Sequence, residues 1–303
     1  MPASLNGAFI GHDGWLFPAQ EAQQLLELCQ IPDHFHGLHV DRWCKALARR
    51  KATFAESRIP YLHAFVPGKV GLFPDRFPLP LRYPERSPAA MVSGAAPNYG
   101  MAGCVLDIGA ALRDDPARAS FVEPSGTGWT EAGSVALART VLTALAQLFG
   151  TGDRALIGDA GLRAVLQAGG PAEAPANSSG VTTKREGENT ICKTSRAILT
   201  NGELLQGSTF ALVNPDAVLP CTLAVFGSPA VAAGQPAILD RFAAAFRIVR
   251  FVCSRDIDYS FVARADAAVV ISLVVEHEMA HTPIDQYDIG VDEFWFNDRF
   301  VKS

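Results

Sequence analysis

Near the end of the chain, His277-Glu278-Met279-Ala280-His281 matches the pattern H-E-x-x-H. On a helix, histidines four residues apart share one face and converge on a zinc ion, with the glutamate as general base. That chemistry needs a helix with room on both sides and a third ligand. His277 instead follows the apolar run Ala267–Val275, which reads as a strand, and Pro283 limits any helix beyond His281. The acids downstream, Asp285, Asp288, Asp292 and Glu293, fall in no obvious helix. The expectation is therefore no metal, with a zinc hydrolase built on His277, His281 and the base Glu278 as the alternative. A second imidazole-rich stretch, Asp33 to His39, has no cysteine or carboxylate pair at ligand spacing and reads as an exposed loop.

The elements that must position such residues follow from periodicity. Pro18–Cys29, Val40–Ser57 and Glu131–Phe149 read as helices; in the last, Leu137, Val141, Leu145 and Leu148 share a face and Gly150 ends it. Ile59–Val66, Gly103–Leu106 and Ala119–Val122 read as short strands, and proline-rich Leu72–Pro88 excludes a long regular element. Asp153–Gln167 reads as a weaker helix and Gly169–Gly180 as a loop. Strands at Ile191–Thr200 and Ser208–Val213 precede an alternation: strand Thr222–Phe226, helix Pro236–Phe246, strand Ile248–Val252, helix Ile257–Ala263, strand Ala267–Val275. Strands apolar on both faces, separated by helices, predict a mainly parallel sheet covered on both sides, with ligands at its carboxyl edge. The fold class expected is α/β, a three-layer α/β/α sandwich. It forms a single domain over 1–303, with a loop and small β-containing insertion at about 169–213.

Three segments, in this order and spacing, resemble one family: GHDGWLF (Gly11–Phe17), FVEPSGTGWTEAG (Phe121–Gly133) and LAVFGSPA (Leu223–Ala230). Together they resemble the SGNH-hydrolase-like domain of the alginate O-acetyltransferase family, whose members move acetyl groups onto bacterial exopolysaccharides. VPGKVGLFPDRFP (Val66–Pro78) is similar to that family's proline- and lysine-containing turn, and CVLDIGAAL (Cys104–Leu112) to its strand into an Asp-Leu step. The resemblance runs from about Ile10 to past Glu276. It implies an SGNH-type fold and, where the motifs are intact, a Ser nucleophile with a His base and an Asp that orients it.

Here the motifs depart from that pattern. The family's Asp-x-His-Trp aligns with Gly126-Thr127-Gly128-Trp129, so glycines stand at the Asp and His positions. The Gly-Asp-Ser-Phe segment aligns with Gly227-Ser228-Pro229-Ala230; with one residue deleted, Ser228 takes the nucleophile position. Glycine replaces neither base nor orienter. The resemblance then implies a degenerate relative, a pseudoenzyme that binds carbohydrate or a partner enzyme, with acyl transfer absent or much reduced. Thr127, Trp129 and Gly227 are its candidate binding residues. Whether the chain is an enzyme stays open. If it is active, it is an SGNH-type O-acetyltransferase or esterase using Ser228 with a relocated base. His277 or His281 would supply that base, because both follow a strand whose carboxyl end borders the same rim.

Composition narrows the partners. Net charge is −5 with no basic run, which argues against nucleic acid, and the apolar stretch Ala263–Val275 is broken by Arg264 and Asp266 and too short to span a bilayer. The implied partners are a carbohydrate or acylated small molecule and an enzyme of polysaccharide synthesis. No cofactor is expected. The first residues carry no basic and apolar signal pattern, so the chain is expected in the cytoplasm, or in the periplasm if it is processed. Six scattered cysteines without a CxxC suit buried thiols. Trp15 reads as a packing residue, Asp13 and Asp107 as turn or cap residues, and the aromatic-rich Gly290–Phe300 as a segment that packs back on the domain or forms an oligomer contact.

Overall fold

The computed structural model describes residues 4–5, 7–30, 35–82, 85–126, 128–150, 194–195, 207, 209–228, 231, 236–286 and 288. The expected helix at Asp153–Gln167, the loop at Gly169–Gly180 and the segment Gly290–Phe300 lie outside the described residues. Of the expected insertion, the described part is one short strand, Gly207 and a second strand.

A small antiparallel sheet opens the chain: β1 (Ser4–Leu5), β2 (Ala8–Ile10) and β3 (Leu16–Pro18). Next come α1 (Ala19–Gln30), α2 (Gly37–Glu56), β4 (Tyr61–Val66), α3 (Lys69–Leu72), α4 (Pro88–Ala95), β5 (Val105–Asp107), α5 (Ile108–Arg113) and α6 (Glu131–Gly150). The second half supplies β6 (Thr194–Ser195), β7 (Thr209–Val213), β8 (Leu219–Gly227), α7 (Pro236–Ala245), β9 (Phe246–Cys253), α8 (Tyr259–Arg264) and β10 (Ala267–Val275).

The main sheet runs β5-β4-β10-β8-β9-β7-β6. From β5 to β9 all neighbours are parallel; β7 and β6 join antiparallel at one edge. The central strand β10 shows why both faces are covered. Side chains alternate along a strand. Val269, Ile271 and Leu273 enter the core built with α6 and α7, while Val270 and Val274 enter the one built with α2, α4 and α8. The three-layer α/β arrangement expected from the alternation is the one observed.

Helix α6 is long and apolar enough to cross a membrane by length and composition alone. Its apolar face is spent on the core: Leu137, Val141, Leu142 and Leu145 are buried against the sheet. Two expectations are corrected. Ala119–Val122 is not a strand but a 3-10 turn at Arg118–Ser120 followed by a single bridge between Val122 and Trp129. Leu72–Pro88 is irregular as expected, but α4 and α5 follow, started by caps rather than by periodicity: Ser87 accepts from the Ala90 N–H and Asp107 from the Ala110 N–H. Asp107 is thus the cap residue expected.

Candidate functional site

Parallel strands point their carboxyl ends to one edge. Register places Val66 of β4 opposite Val275 of β10, and Gly227 of β8 opposite both Leu273 of β10 and Cys253 of β9. The segments that follow, Pro67–Lys69, Ser228, Ser254–Arg255 and Glu276–Glu278, therefore form one rim.

Lys69 organises one side of it. The residue is 4% exposed, and its ammonium donates to the carbonyl oxygens of Glu123 (2.6 Å), Pro124 (2.7 Å) and Gly126 (2.9 Å). It also lies 5.1 Å from the centre of the Trp15 ring. Trp15 itself is buried against Phe73, as a packing residue should be. The Lys69 backbone N–H donates to Glu21 Oε1 at 2.7 Å, and a Cβ on Gly68 would stand 2.0 Å from that oxygen, so only glycine allows the approach. Burial lowers the Lys69 pKa to about 8, opposed by the charges of Glu21 and Glu123. Burial likewise pushes Glu21 up to about 7 against the hydrogen bonds it accepts from the Lys69 and Val70 backbone.

The clamped loop is the one that carries the two motif glycines. Beyond it, the Thr130 N–H donates to the Phe121 carbonyl (2.9 Å), and the Thr130 hydroxyl donates to Ser120 O (2.6 Å) and accepts from the Gly133 N–H (3.1 Å). Gly133 is obligatory: a Cβ there would meet Phe121 O at 2.1 Å and Trp129 Cε3 at 2.8 Å. Gly126 and Gly128 are different. A Cβ on Gly128 meets nothing within 4 Å, whereas one on Gly126 meets the Glu123 side chain, at 2.7 Å from Oε2 and 2.9 Å from Cβ. Packing leaves Gly128 open to a side chain, and one at Gly126 requires Glu123 to shift. Trp129 is partly buried and packs on the main core; Thr127 lies outside the described residues.

Across the rim, β8 ends at Gly227, where an added Cβ would crowd Phe251, Leu273 O and Val231 at 3.2–3.4 Å. Ser228 follows, 2% exposed. Its hydroxyl, Glu278 Oε2 and His277 Nδ1 are buried atoms with no hydrogen-bond partner of good geometry. Burial raises the Glu278 pKa; the Arg255 charge and the approach of the Ser228 hydroxyl work against that rise. Arg255 also donates to the Glu278 carbonyl at 3.1 Å. Burial pushes His277 down to about 4, so its imidazole is neutral near pH 7. Glu276 is turned inward, accepting from the Ser87 hydroxyl and, at 3.4 Å, from the Ala89 N–H. Pro229 and Ala230 lie outside the described residues.

The H-E-x-x-H segment is not an α-helix. Glu276–Glu278 is one 3-10 turn, Met279 is buried beneath it and His281 is exposed. The zinc alternative thus lacks the helical face it requires, and among the described residues no three His, Cys, Asp or Glu side chains are grouped to hold a metal. The rim instead brings Ser228 to Glu278, with His277 beside it and His281 turned out. Sequence reasoning placed Glu278 only in a zinc site and missed Arg255. Lys69 was legible only as part of a proline- and lysine-containing turn. Of the histidine-rich stretch, His36 caps α2 by accepting from the Leu38 N–H.

No family model matches the chain, and no curated protein matches its sequence significantly. Solved structures are similar. Bacillus cereus PatB1, in a structure with a sulfonyl adduct, is 9% identical with a TM-score of 0.54, covering 93% of this chain and 99% of that one. The O-acetyltransferase domain of Pseudomonas putida AlgJ is 13% identical (TM-score 0.46, covering 97% and 100%). Pseudomonas aeruginosa AlgX is 10% identical (TM-score 0.48, covering 90% and 63%). The likeness to PatB1 is one of fold. The chain shares the α/β fold of PatB1, in keeping with the α/β fold expected from the sequence.

Proposed function

We propose that the chain is a relative of the polysaccharide O-acetyltransferases that binds carbohydrate, or a partner enzyme, at the carboxyl rim and transfers acyl groups at a much reduced rate. The observation that carries this reading is the Lys69 clamp. Three charge-assisted hydrogen bonds hold the backbone of the loop that in the resembling family carries Asp and His, yet Gly126 and Gly128 stand there. The loop is kept and its chemistry is missing.

The test pairs binding with turnover. Acetylated and unacetylated oligosaccharides are titrated calorimetrically into the whole protein, beside Trp129→Ala. Hydrolysis of a chromogenic acetyl ester is followed in the same preparation. Binding that Trp129→Ala weakens, with hydrolysis far below that of a complete triad, is the expected result. No binding to any glycan, with full esterase turnover, overturns it.

A second reading, an acyltransferase or esterase using Ser228 with a relocated base, is favoured by one observation: the Ser228 hydroxyl approaches Glu278, whose carboxyl burial makes more basic.

A further inference from the structure

A groove of about 770 Å³ opens on the outer face of α2, between that helix and the segment that follows the Glu276–Glu278 turn. One wall is the helix. Arg42, Lys45 and Arg49 recur at intervals of three and four residues, a single stripe about 10 Å long at 1.5 Å per residue. The other wall is the segment after Met279. It runs back along α2 because two buried contacts hold it there: the Trp43 indole donates to Met279 O at 2.9 Å, and Arg50 grips Asp285. Thr282, Pro283 and Ile284 line this second wall, and Ala48, Ala52 and Tyr99 complete the lining. Ile284 is 64% exposed, an unusual position for a large aliphatic side chain.

The groove therefore has an apolar floor and a cationic rim, in a chain whose net charge is −5. Of its cations, Lys45 pairs with Asp41 at 3.0 Å while remaining 66% exposed. The Tyr99 hydroxyl already donates to that same Asp41, at 2.8 Å. The floor thus offers few hydrogen-bonding groups for a sugar's hydroxyls, and a sugar buried there would lose its water without replacement. Three cations on a concave apolar strip suit a short chain that carries carboxylates at its edges and apolar side chains between them.

We propose that this groove docks an acidic segment of a partner protein, one in which Asp or Glu alternates with Leu, Phe or Trp. None of the groove's lining residues belongs to the rim segments, and the proposal does not depend on the carbohydrate reading.

The experiment uses the full chain and a fluorescein-labelled peptide of about a dozen residues alternating Glu with Leu and Phe. Fluorescence anisotropy is read at low salt and at about 0.3 M salt, where exposed charge pairs are screened. The expected result is saturable binding, weaker at high salt. Arg42→Glu with Arg49→Glu should weaken it at least tenfold, and so should Ile284→Ser alone. A peptide with Gln in place of every Glu should bind at least tenfold more weakly. All three positions are on the surface, and unchanged thermal melts will show that the variants fold. Three outcomes overturn the proposal: no saturable binding of the peptide, binding indifferent to these substitutions, or a uronate oligosaccharide that binds more tightly and is lost with the arginines. Self-association abolished by Arg49→Glu would also overturn it, in favour of a second copy as occupant.

Discussion

The ammonium of Lys69 donates to the carbonyl oxygen of Gly126 at 2.9 Å, from a side chain held beneath the loop rather than in solvent. One cation thereby ties the strand β4 to the loop that aligns with the family's catalytic motif. Replacing it by Met keeps the length and removes the charge. Three carbonyls then lose their donor, and an unmet buried acceptor costs about 1–3 kcal/mol. Lys69→Met should therefore destabilise by on the order of 3 kcal/mol, read as a lower urea midpoint. It should also raise Trp fluorescence quenching by iodide, since Trp15 and Trp129 flank the clamp. A surface lysine would show neither change.

Because Gly128 faces open space and Gly126 is crowded only by Glu123, side chains can be restored at both positions once Glu123 shifts. Gly126→Asp must push back the Glu123 side chain, its Cβ at 2.9 Å included, whereas Gly128→His enters open space. The double variant should keep its melting temperature within a few degrees and hydrolyse a chromogenic acetyl ester at least tenfold faster than the parent, a gain that Ser228→Ala removes. Gly133→Ala is the contrasting control. Its Cβ would overlap the Phe121 carbonyl at 2.1 Å, so it should unfold at markedly lower denaturant. A folded double variant without any gain would mean that Ser228 is not the nucleophile.

The parent's own turnover should sit roughly a thousandfold or more below that of a complete triad. What remains should depend on Ser228 and Glu278 and be indifferent to chelators. The sign of its pH dependence follows from Glu278. A base must be ionised to accept the Ser228 proton. Burial holds the Glu278 pKa above the ordinary carboxylate value, so the rate should fall with acid at a higher pH than a free carboxylate would dictate. Glu278→Gln should abolish it. A rate lost in His277→Ala but kept in Glu278→Gln would assign the base to the imidazole instead.

Much of this scaffold is legible in residue order. The boundaries of β10 follow from an unbroken apolar run and the apolar face of α6 from a period of 3.6 residues, because both pack on long apolar sets. The rim is less so. Glu278 reads as a zinc-site base because four-residue spacing is visible in sequence, whereas its approach to Ser228 depends on β8 and β10 being neighbours, fifty residues apart. Lys69 is similar: its three acceptors sit 54–57 residues downstream. Short helices such as α5 are set by a capping Asp and not by any period, and the expected strand at Ala119–Val122 fails because its one bridge is to Trp129, across the loop.

Glu21 makes the stability of this region depend on pH. Its folded pKa, about 7, stands above the 4.5 of the free group. Between these values the unfolded chain releases the proton and the folded chain retains it, so this group's contribution falls as pH rises from about 4.5 to 7. Glu21→Gln should remove that slope, leaving the variant more stable than the parent at pH 7.5 by on the order of 2 kcal/mol and little different at pH 4.5. Parallel stability curves for the two proteins across this range would contradict the assignment.

Arg50 fixes the last described segment to the sheet, and its energetics differ in kind from those of the surface. Its side chain is fully buried, donating to both oxygens of Asp285 at 2.8 and 2.6 Å, to Ser272 at 3.2 Å and to Arg255 O at 2.7 Å. Asp285 has φ 57°, a left-handed conformation that Asn also tolerates. Asp285→Asn therefore keeps the backbone, removes the charge and turns one of the two accepting oxygens into an N–H donor facing Arg50. Stranding a buried guanidinium costs about 3–5 kcal/mol, whereas Lys45→Ala, which breaks an exposed pair with Asp41, should cost less than about 1 kcal/mol. Urea unfolding at constant m-value measures both. Because Asp285 also accepts from the Ile257 N–H at 2.9 Å and anchors the wall that carries Pro283 and Ile284, the Asn variant should lose affinity for an acidic peptide in the α2 groove while still folded. Equal stability of Asp285→Asn and the parent would mean that the ion pair is dispensable and that the wall is held by the Trp43–Met279 contact and by Asp256, which accepts from the Ile284 and Asp285 N–H groups at 2.7 and 3.1 Å.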